Sequence, residues 1–290
     1  MKICRSCGVR FDRPGWDCPE CFYKIPHKNG FPLLSLCKTA ENEGFNPGNY
    51  SILADFEDES FWFRARNRLI VWSLARFFPT AEKFLEVGCG TGYVLSGIEA
   101  AFPHLKLWGS EIHAEGLSFA RNRIRKGSLF QMDAREIPYE EEFDVIGAFD
   151  VLEHIKDDLL VLEQMRRAVH PGGGIIITVP QHPFLWSPID DYSRHVRRYL
   201  VQDLRMKVKK AGFEIQRVTS FVSLLFPLML CSRWSRRKLQ ADDDSIQAEF
   251  RIGRRTNRLL EMVMDVERML IQRGLCFPFG GSLCLVARRL

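Results

Sequence analysis

Three groups of residues in this chain have types and spacings that could do chemistry. The first is the run Glu86-Val87-Gly88-Cys89-Gly90-Thr91-Gly92, in which three alternating glycines follow an acidic side chain. Glycine permits a tight turn and lets backbone N–H groups approach a ligand, above all where a helix begins. A carboxylate before the first glycine would repel a pyrophosphate, so the run suits a ligand with a positively charged amine.

The second group is two pairs of cysteines, Cys4 with Cys7 and Cys18 with Cys21, in a C-x2-C-x10-C-x2-C spacing. Two such pairs can place four thiolates around one tetrahedral zinc ion, which would be structural because it has no open position. Two disulfides are the alternative, which a reducing cytosol disfavours. The other five cysteines are scattered and are expected to pack as small apolar residues: Cys37, Cys89, Cys231, Cys276 and Cys284.

The third group follows two apolar runs that read as strands. Asp150, Glu153 and His154 follow the first run, and His154 could act as a general base. The alternative is that Glu153 and His154 cap the next helix and have no chemical role. Residues 181–199 follow the second run and carry two His, two Asp, two Tyr and three Arg, so we interpret them as a lid over a substrate.

The candidates in the lid are His182, Asp191, His195, Arg198 and Tyr199. We predict catalytic roles for His195 and Tyr199 beside His154.

Strands and helices alternate around these residues, which predicts an α/β fold with a doubly wound sheet. Apolar runs with strand character are 84–87, 105–111, 129–134, 143–149, 175–180, 213–221 and 281–288. Helical patterns lie between them at 93–101, 114–126, 157–169 and 201–211.

The glycine run and this order of elements resemble motif I and the fold of the class I S-adenosylmethionine (SAM) methyltransferases. The resemblance covers about residues 56–221 and the last strand, and it implies a Rossmann-like sheet of seven strands with SAM as the cofactor. In such enzymes Glu111 would bind the ribose and Asp133 would meet the adenine amine. The expected cofactor-binding residues are Glu86, Gly88, Gly90, Gly92, Glu111, Asp133, Ala134, Asp150 and Arg66. Some branches hold a divalent cation on an E-x-x-E-H pattern, where this chain has Asp150 in the first place.

Residues 56–68 combine acids, aromatics and arginines, and they resemble the segment that covers SAM in many of these enzymes. We expect Trp62, Phe63 or Arg66 to approach the cofactor, Arg66 through the carboxylate of SAM. Packing of the aromatic side chains on the sheet is the alternative.

A helical insert is predicted at 220–276, before the last strand. It begins with an apolar stretch and a basic cluster, 221–238, continues through an acidic run, 242–245, and ends in an amphipathic helix, 257–273, with Leu259, Leu260, Val263, Val266 and Leu270 on one side. The stretch 221–238 could lie on a membrane surface, or a helical pair could fold over the active site.

Composition is that of an ordinary globular protein, with 46% hydrophobic and 27% charged residues and a net charge of +5, too mild to indicate nucleic acid. The start of the chain has no apolar run of signal-peptide length, and no stretch approaches the roughly 20 apolar residues of a membrane span, so we expect a cytoplasmic protein, with contact to the inner face of the membrane as an option.

The predicted organisation is a zinc-ribbon-like module at 1–28, a linker at 29–49 and a SAM-dependent methyltransferase domain at 50–290. We expect the methyl acceptor to be a small or lipid-linked molecule. RNA is the first alternative, although no N-P-P-Y or D-P-P-Y tetrapeptide is present. Protein is another acceptor class, and a SAM-binding or interaction protein without turnover is the non-enzymatic alternative.

Overall fold

A seven-stranded sheet forms the centre of the protein. The computed structural model describes residues 1–35, 45–236 and 252–290; Cys37, Arg237, Lys238 and the acidic run 242–245 lie outside the described residues. The strands of the sheet are β5 (Lys83–Val87), β6 (Lys106–Glu111), β7 (Ser128–Gln131), β8 (Phe143–Phe149), β9 (Val169–Pro180), β10 (Phe213–Phe221) and β11 (Ser282–Arg289). Four hairpin strands precede them: β1 (Lys2–Ile3), β2 (Arg10–Phe11), β3 (His27–Lys28) and β4 (Phe31–Pro32).

The strands lie in the order β10-β11-β9-β8-β5-β6-β7. The pairs from β9 to β7 are parallel, and β11 is antiparallel to both of its neighbours. The chain order reverses between β5 and β8, so the carboxyl ends of these two strands bound the crevice where such sheets bind ligands. This arrangement confirms the predicted α/β fold and its seven strands.

Helices cover both faces of the sheet. The central strands carry apolar residues on both sides, so both faces must be shielded from water. The helices are α1 (Tyr50–Phe56), α2 (Phe61–Phe77), α3 (Tyr93–Ala101), α4 (Ala114–Arg123), α5 (Asp158–Ala168), α6 (Pro188–Tyr192), α7 (Val201–Lys210), α8 (Phe226–Arg236) and α9 (Arg254–Gln272). Short 3-10 turns lie at Pro47–Asn49, Leu152–His154 and Pro183–Leu185. Two buried clusters, one on each face, contain Leu85 with Ile146 and Phe84 with Val145.

The N-terminal module is packed against the free edge of the sheet. Ile3 N donates to Pro138 O at 2.9 Å, and Leu34 N donates to Gln131 O at 2.8 Å. Ile25 and Leu34 belong to one of the two main apolar clusters. Part of the segment predicted as a linker therefore lies alongside β7, while residues 36–44 lie outside the described residues.

The insert forms two described helices, α8 and α9, and α9 buries only part of the apolar side predicted from the sequence, since Leu260, Val263 and Leu270 are half-buried. Its buried side chains are Met264, Glu267 and Ile271, whereas Leu259 and Val266 are 56% and 46% exposed. Polar partners set this orientation, because Glu261 accepts hydrogen bonds from Arg64 and Arg68 of α2.

In the described ranges, every helix is too short or too polar to cross a bilayer.

Candidate active site

One cavity of about 880 Å³ opens at the carboxyl ends of β5 and β8. Its walls include the glycine run after β5, the start of α2, the turn after β8, and α8 with α9. The volume lies near the upper end of the roughly 300–1,000 Å³ of small-molecule sites, so two ligands can fit side by side.

The three glycines of the run have left-handed backbones, with φ of +70° at Gly88, +51° at Gly90 and +77° at Gly92. A Cβ added to Gly88 would lie 2.5 Å from Val151 Cγ2, and one added to Gly92 would lie 2.9 Å from Ala120 Cα. A Cβ at Gly90 would meet only Tyr50, at 3.9 Å. Gly88 and Gly92 therefore serve packing, while Gly90 keeps its backbone open to the cavity.

Two predicted cofactor acids lie at the carboxyl ends of β5 and β6. Glu86 is 2% exposed, and its Oε2 atom has no hydrogen-bond partner among the described residues. Burial raises the pKa of this carboxyl well above its usual range, although Arg66 opposes the rise. Glu111 accepts a hydrogen bond from Gly90 N at 2.9 Å, so its side chain sits directly over the glycine turn.

Asp133 and Ala134 follow β7 and also line the cavity. The Asp133 carboxylate accepts from Arg135 Nη2 at 2.7 Å. To reach the Asp133 carboxylate, an adenine amine would have to share it with Arg135 or displace the Arg135 side chain.

Arg66 projects from α2 into the cavity and pairs with the carboxylate of Asp150. Its guanidinium lies 4.5 Å from the centre of the Trp62 ring and 5.4 Å from that of Phe63. The structure therefore brings these predicted residues together. It also shows that the charge of Arg66 is already partly neutralised by Asp150.

Sequence reasoning missed four residues that hold α1 against the glycine turn. The Glu57 carboxylate accepts hydrogen bonds from the Thr91 hydroxyl and from Arg123 of α4. Tyr50, which is 2% exposed, packs beside Gly90. Thr91 lies in the glycine run and Glu57 in the segment 56–68, but no local sequence pattern indicated that Arg123 is their partner.

The turn after β8 places Glu153 and His154 at the other end of the cavity. Glu153 is fully buried, and both of its carboxylate oxygens lack a hydrogen-bond partner among the described residues. Burial, with a contribution from Asp150, raises the pKa of Glu153 well above its usual range. Neither side chain caps a helix, because α5 begins at Asp158 and the turn at 152–154 is separate.

The His154 side chain is partly buried. Burial, with a contribution from His195, lowers its pKa to about 3. Its Nδ1 atom is buried and has no hydrogen-bond partner among the described residues. In the tautomer that carries its proton on Nε2, Nδ1 is left as an acceptor.

The lid contributes His195 to this end of the cavity. Its Nδ1 lies 2.8 Å from Asp190 Oδ1, and its ring centre lies 4.7 Å from that of His154. Asp190 is fully buried and also accepts two hydrogen bonds from Arg198, and these partners hold its pKa well below the usual range despite burial. Ligand atoms of Glu153, His154 and His195 all lie within 4.8 Å of one another, a geometry that could hold a metal ion.

Three other lid candidates lie away from the cavity, and the catalytic role predicted for Tyr199 conflicts with its position. Tyr199 is 2% exposed, packs in the core, and donates its hydroxyl proton to Asp158 Oδ2 at 2.6 Å. His182 packs between Phe184 and Phe279. Asp191 accepts from Trp186 Nε1 at 3.0 Å.

The four cysteines of the N-terminal module converge on one point. Cys4 Sγ lies 3.7 Å from Cys21 Sγ, and Cys7 Sγ lies 3.7 Å from Cys18 Sγ. Tetrahedral bonds of about 2.3 Å to a zinc ion would place sulfurs about 3.8 Å apart, whereas a disulfide needs about 2.05 Å. The described cysteines are therefore a four-sulfur cluster that fits a metal ion rather than two disulfides.

A family model described as a methyltransferase domain matches residues 59–218. The chain belongs to this methyltransferase domain family.

Curated relatives support the same assignment. A probable S-adenosylmethionine-dependent methyltransferase of Mycolicibacterium smegmatis is 26% identical over 164 residues, which are 55% of this chain and 62% of that protein. A demethylmenaquinone methyltransferase of Oceanobacillus iheyensis is 34% identical over 111 residues, 36% of this chain and 47% of that protein. The match thus spans less than two thirds of these relatives, and it identifies the domain as one of the SAM-dependent type.

Solved structures share the fold of this methyltransferase domain. Phosphoethanolamine N-methyltransferase 2 of Haemonchus contortus, in complex with S-adenosyl-L-methionine, aligns with a TM-score of 0.51 and 21% identity over 77% of this chain and 52% of that chain. A putative sarcosine dimethylglycine methyltransferase of Galdieria sulphuraria aligns with a TM-score of 0.53 and 16% identity, over 77% and 85% of the two chains. At such identities the likeness establishes the architecture alone.

We predict that Gly90→Arg abolishes SAM binding while the domain stays folded, because the new side chain enters the cavity and meets only Tyr50. Gly172→Arg is the matched control, since Gly172 has the same left-handed backbone and no neighbour within 4 Å of an added Cβ. Calorimetry should show SAM affinity lost in the first variant and unchanged in the second. Equal affinity in both variants would contradict the site.

We also predict that SAM binding releases a proton from Glu86. Burial raises the pKa of this carboxyl and a ligand ammonium would lower it, so binding is expected to release a proton and affinity should rise with pH. Calorimetry at one pH in phosphate and in Tris gives the number of protons released. Glu86→Gln should release fewer protons than the wild type, and equal numbers would show that Glu86 does not face the ligand's charge.

Proposed function

We propose that this protein transfers a methyl group from SAM to a small or lipid-linked acceptor. The observation that carries the proposal is the single cavity that joins the glycine turn, the acids after β5 and β6, and the Glu153–His154–His195 cluster. Cofactor and acceptor can therefore lie in one space, where alignment of the reacting atoms can supply much of the rate.

The chain's own residues provide a cradle for the cofactor. Gly90 keeps backbone open to the ligand, Glu86 presents an unpaired carboxylate to an amine, and Glu111 is placed to accept hydrogen bonds from ribose hydroxyls. SAM held by these residues would supply a methyl group on a sulfonium, and its transfer to the acceptor would leave the sulfur as a neutral thioether.

The acceptor must lose a proton if its nucleophile is a hydroxyl or a protonated amine. Glu153 has the higher proton affinity of the two buried groups, because burial raises the pKa of a carboxyl and lowers that of an imidazole. We therefore propose that ionised Glu153 takes the proton, with His154 Nδ1 orienting the acceptor beside it. His195, fixed by Asp190, limits where the acceptor can lie.

The insert contributes apolar side chains to the wall of the cavity. Val222, Leu225, Met229 and Leu260 are among the lining residues. These side chains support an acceptor with an apolar portion.

A divalent cation on Glu153, His154 and His195 is the second candidate for this cluster. It is favoured by the convergence of three ligand atoms and by Asp190, which would orient His195 as carboxylates orient metal-bound histidines. Asp150, which takes the first place of the E-x-x-E-H pattern in this chain, pairs with Arg66 instead.

We expect Glu153→Gln to lower methyl transfer by about ten-fold or more, a loss of roughly 1.4 kcal/mol in transition-state stabilisation. The Glu153→Gln variant should be at least as stable as the wild type, because the substitution removes an unpaired buried carboxylate. The assay is transfer from tritium-labelled SAM into extract fractions of RNA, protein, lipid and small molecules. Label in the lipid or small-molecule fraction is the expected result for the wild type.

Tyr199→Phe is the matched control, since it should lower the melting temperature through the lost Asp158 contact and keep the transfer activity. Full activity in Glu153→Gln would show that Glu153 is not the base. If a chelator abolishes wild-type activity and a divalent cation restores it, the result would favour a cation bound by Glu153, His154 and His195.

We further propose that the four-cysteine cluster holds one structural zinc ion. Metal analysis of protein prepared under reducing conditions should find about one zinc per chain. Cys4→Ser with Cys7→Ser should release it and lower the melting temperature, because the module packs on the sheet edge. The control is Cys231→Ser with Cys276→Ser, two exposed cysteines outside the cluster, which should retain zinc. Zinc-free wild-type protein would refute the proposal.

A further inference from the structure

The outward face of α9 is apolar where a helix of a globular protein is normally polar. Leu259, Met262, Val266 and Met269 are spaced by three and four residues, so they form one line along the helix. Their exposed fractions are 56%, 53%, 46% and 42%. A single exposed leucine needs no explanation, but a continuous line of four marks a surface that meets something apolar.

Arginines extend this line at both ends. Arg255 lies four residues before Leu259, and Arg273 lies four residues after Met269 just beyond the end of α9, and both are exposed. Neither guanidinium has an acceptor among the described residues. We call the line from Arg255 to Arg273 the α9 stripe.

All three acids of α9 have partners of their own. Glu261 pairs with Arg64 and Arg68, and Glu267 accepts hydrogen bonds from the backbone N–H groups of Ser223 and Leu224. Asp265 pairs with Arg68 and Arg268. The stripe itself therefore presents apolar and cationic groups and no carboxylate.

The helix is held in this orientation at both ends. Asn257 accepts a hydrogen bond from Phe61 N at 2.9 Å and donates to Glu59 O at 2.6 Å. Arg217 donates to the carbonyls of Ile271 and Leu275, both at 2.8 Å. The outward position of the stripe thus follows from fixed polar contacts with the domain.

We propose that the α9 stripe seats on the surface of a bilayer that contains anionic lipids. The four apolar side chains would enter the boundary between headgroups and acyl chains, and the arginines at the two ends would meet lipid phosphates. Because the insert also lines the cavity, binding through the α9 stripe would bring the cavity close to the bilayer. A second copy of the chain fits the stripe less well. Two antiparallel stripes would set Arg255 of one copy against Arg273 of the other, and two parallel stripes would set each arginine against the same arginine, so like charges would meet in both arrangements.

The test is cosedimentation with vesicles of phosphatidylcholine, with and without about 30% phosphatidylglycerol. Wild-type protein should bind the anionic vesicles, and Met262→Glu with Val266→Glu should bind at least ten-fold more weakly. Met206→Glu is the matched control, because Met206 is 61% exposed on α7, outside the insert, and it should bind like the wild type. Arg255→Glu with Arg273→Glu should remove the preference for anionic vesicles without touching the apolar line.

SAM affinity is measured on the same preparations, so that a failure of lipid binding is distinguished from a failure of the cofactor site. Absence of wild-type binding to anionic vesicles, or wild-type binding by the Met262→Glu, Val266→Glu variant, would overturn the proposal. Sedimentation velocity tests the second copy. A dimer that this variant converts to monomers would also overturn the proposal, in favour of self-association.

Discussion

The left-handed turn after β5 is the constraint on which the rest of the site depends. The chain must leave a buried strand and begin α3 within five residues, and it does so through three glycines with positive φ. The space left by the missing side chain of Gly88 is filled by Val151 from the turn after β8, and that of Gly92 by Ala120 from α4. The ends of β5 and β8 and the start of α3 are therefore fixed relative to one another by backbone sterics.

Buried carboxylates accumulate around this turn in excess of the cations that neutralise them. Glu86 and Glu153 lack hydrogen-bond partners at their Oε2 atoms among the described residues, whereas Glu57 is held by Arg123 and Asp150 by Arg66. An unpaired buried carboxyl lowers stability unless it is protonated, so these positions are poor choices for folding alone. They are well suited to a site that binds a cationic ligand at one end and accepts a proton at the other.

Much of the fold could be predicted from the sequence, because it is encoded locally. Apolar runs, glycine spacing and the alternation of elements indicated the seven strands, and the run at 143–149 matches its strand residue for residue. The predicted glycines and strand-end acids line one cavity, since the carboxyl ends of parallel strands meet at one edge.

The acceptor end was harder to predict, because it depends on contacts between distant segments. His154 and His195 are 41 positions apart in the chain, and only the path of the lid brings their rings together. Tyr199 looked equally reactive in the sequence, yet its hydroxyl is committed to Asp158 in the core. The buried face of α9 could not be predicted for the same reason, since Arg64 and Arg68 of α2 pair with Glu261 and Asp265 and so help to set the rotation of the helix.

We propose that one cavity holds the cofactor between the glycine turn and the strand-end acids. A crystal structure of the protein with S-adenosylhomocysteine would test this placement. We expect the ligand's amino group within hydrogen-bond reach of Glu86 and its ribose hydroxyls on Glu111, with the sulfur facing Glu153 and His154. A ligand bound elsewhere, or one bound in the cavity with its sulfur turned away from Glu153 and His154, would contradict it.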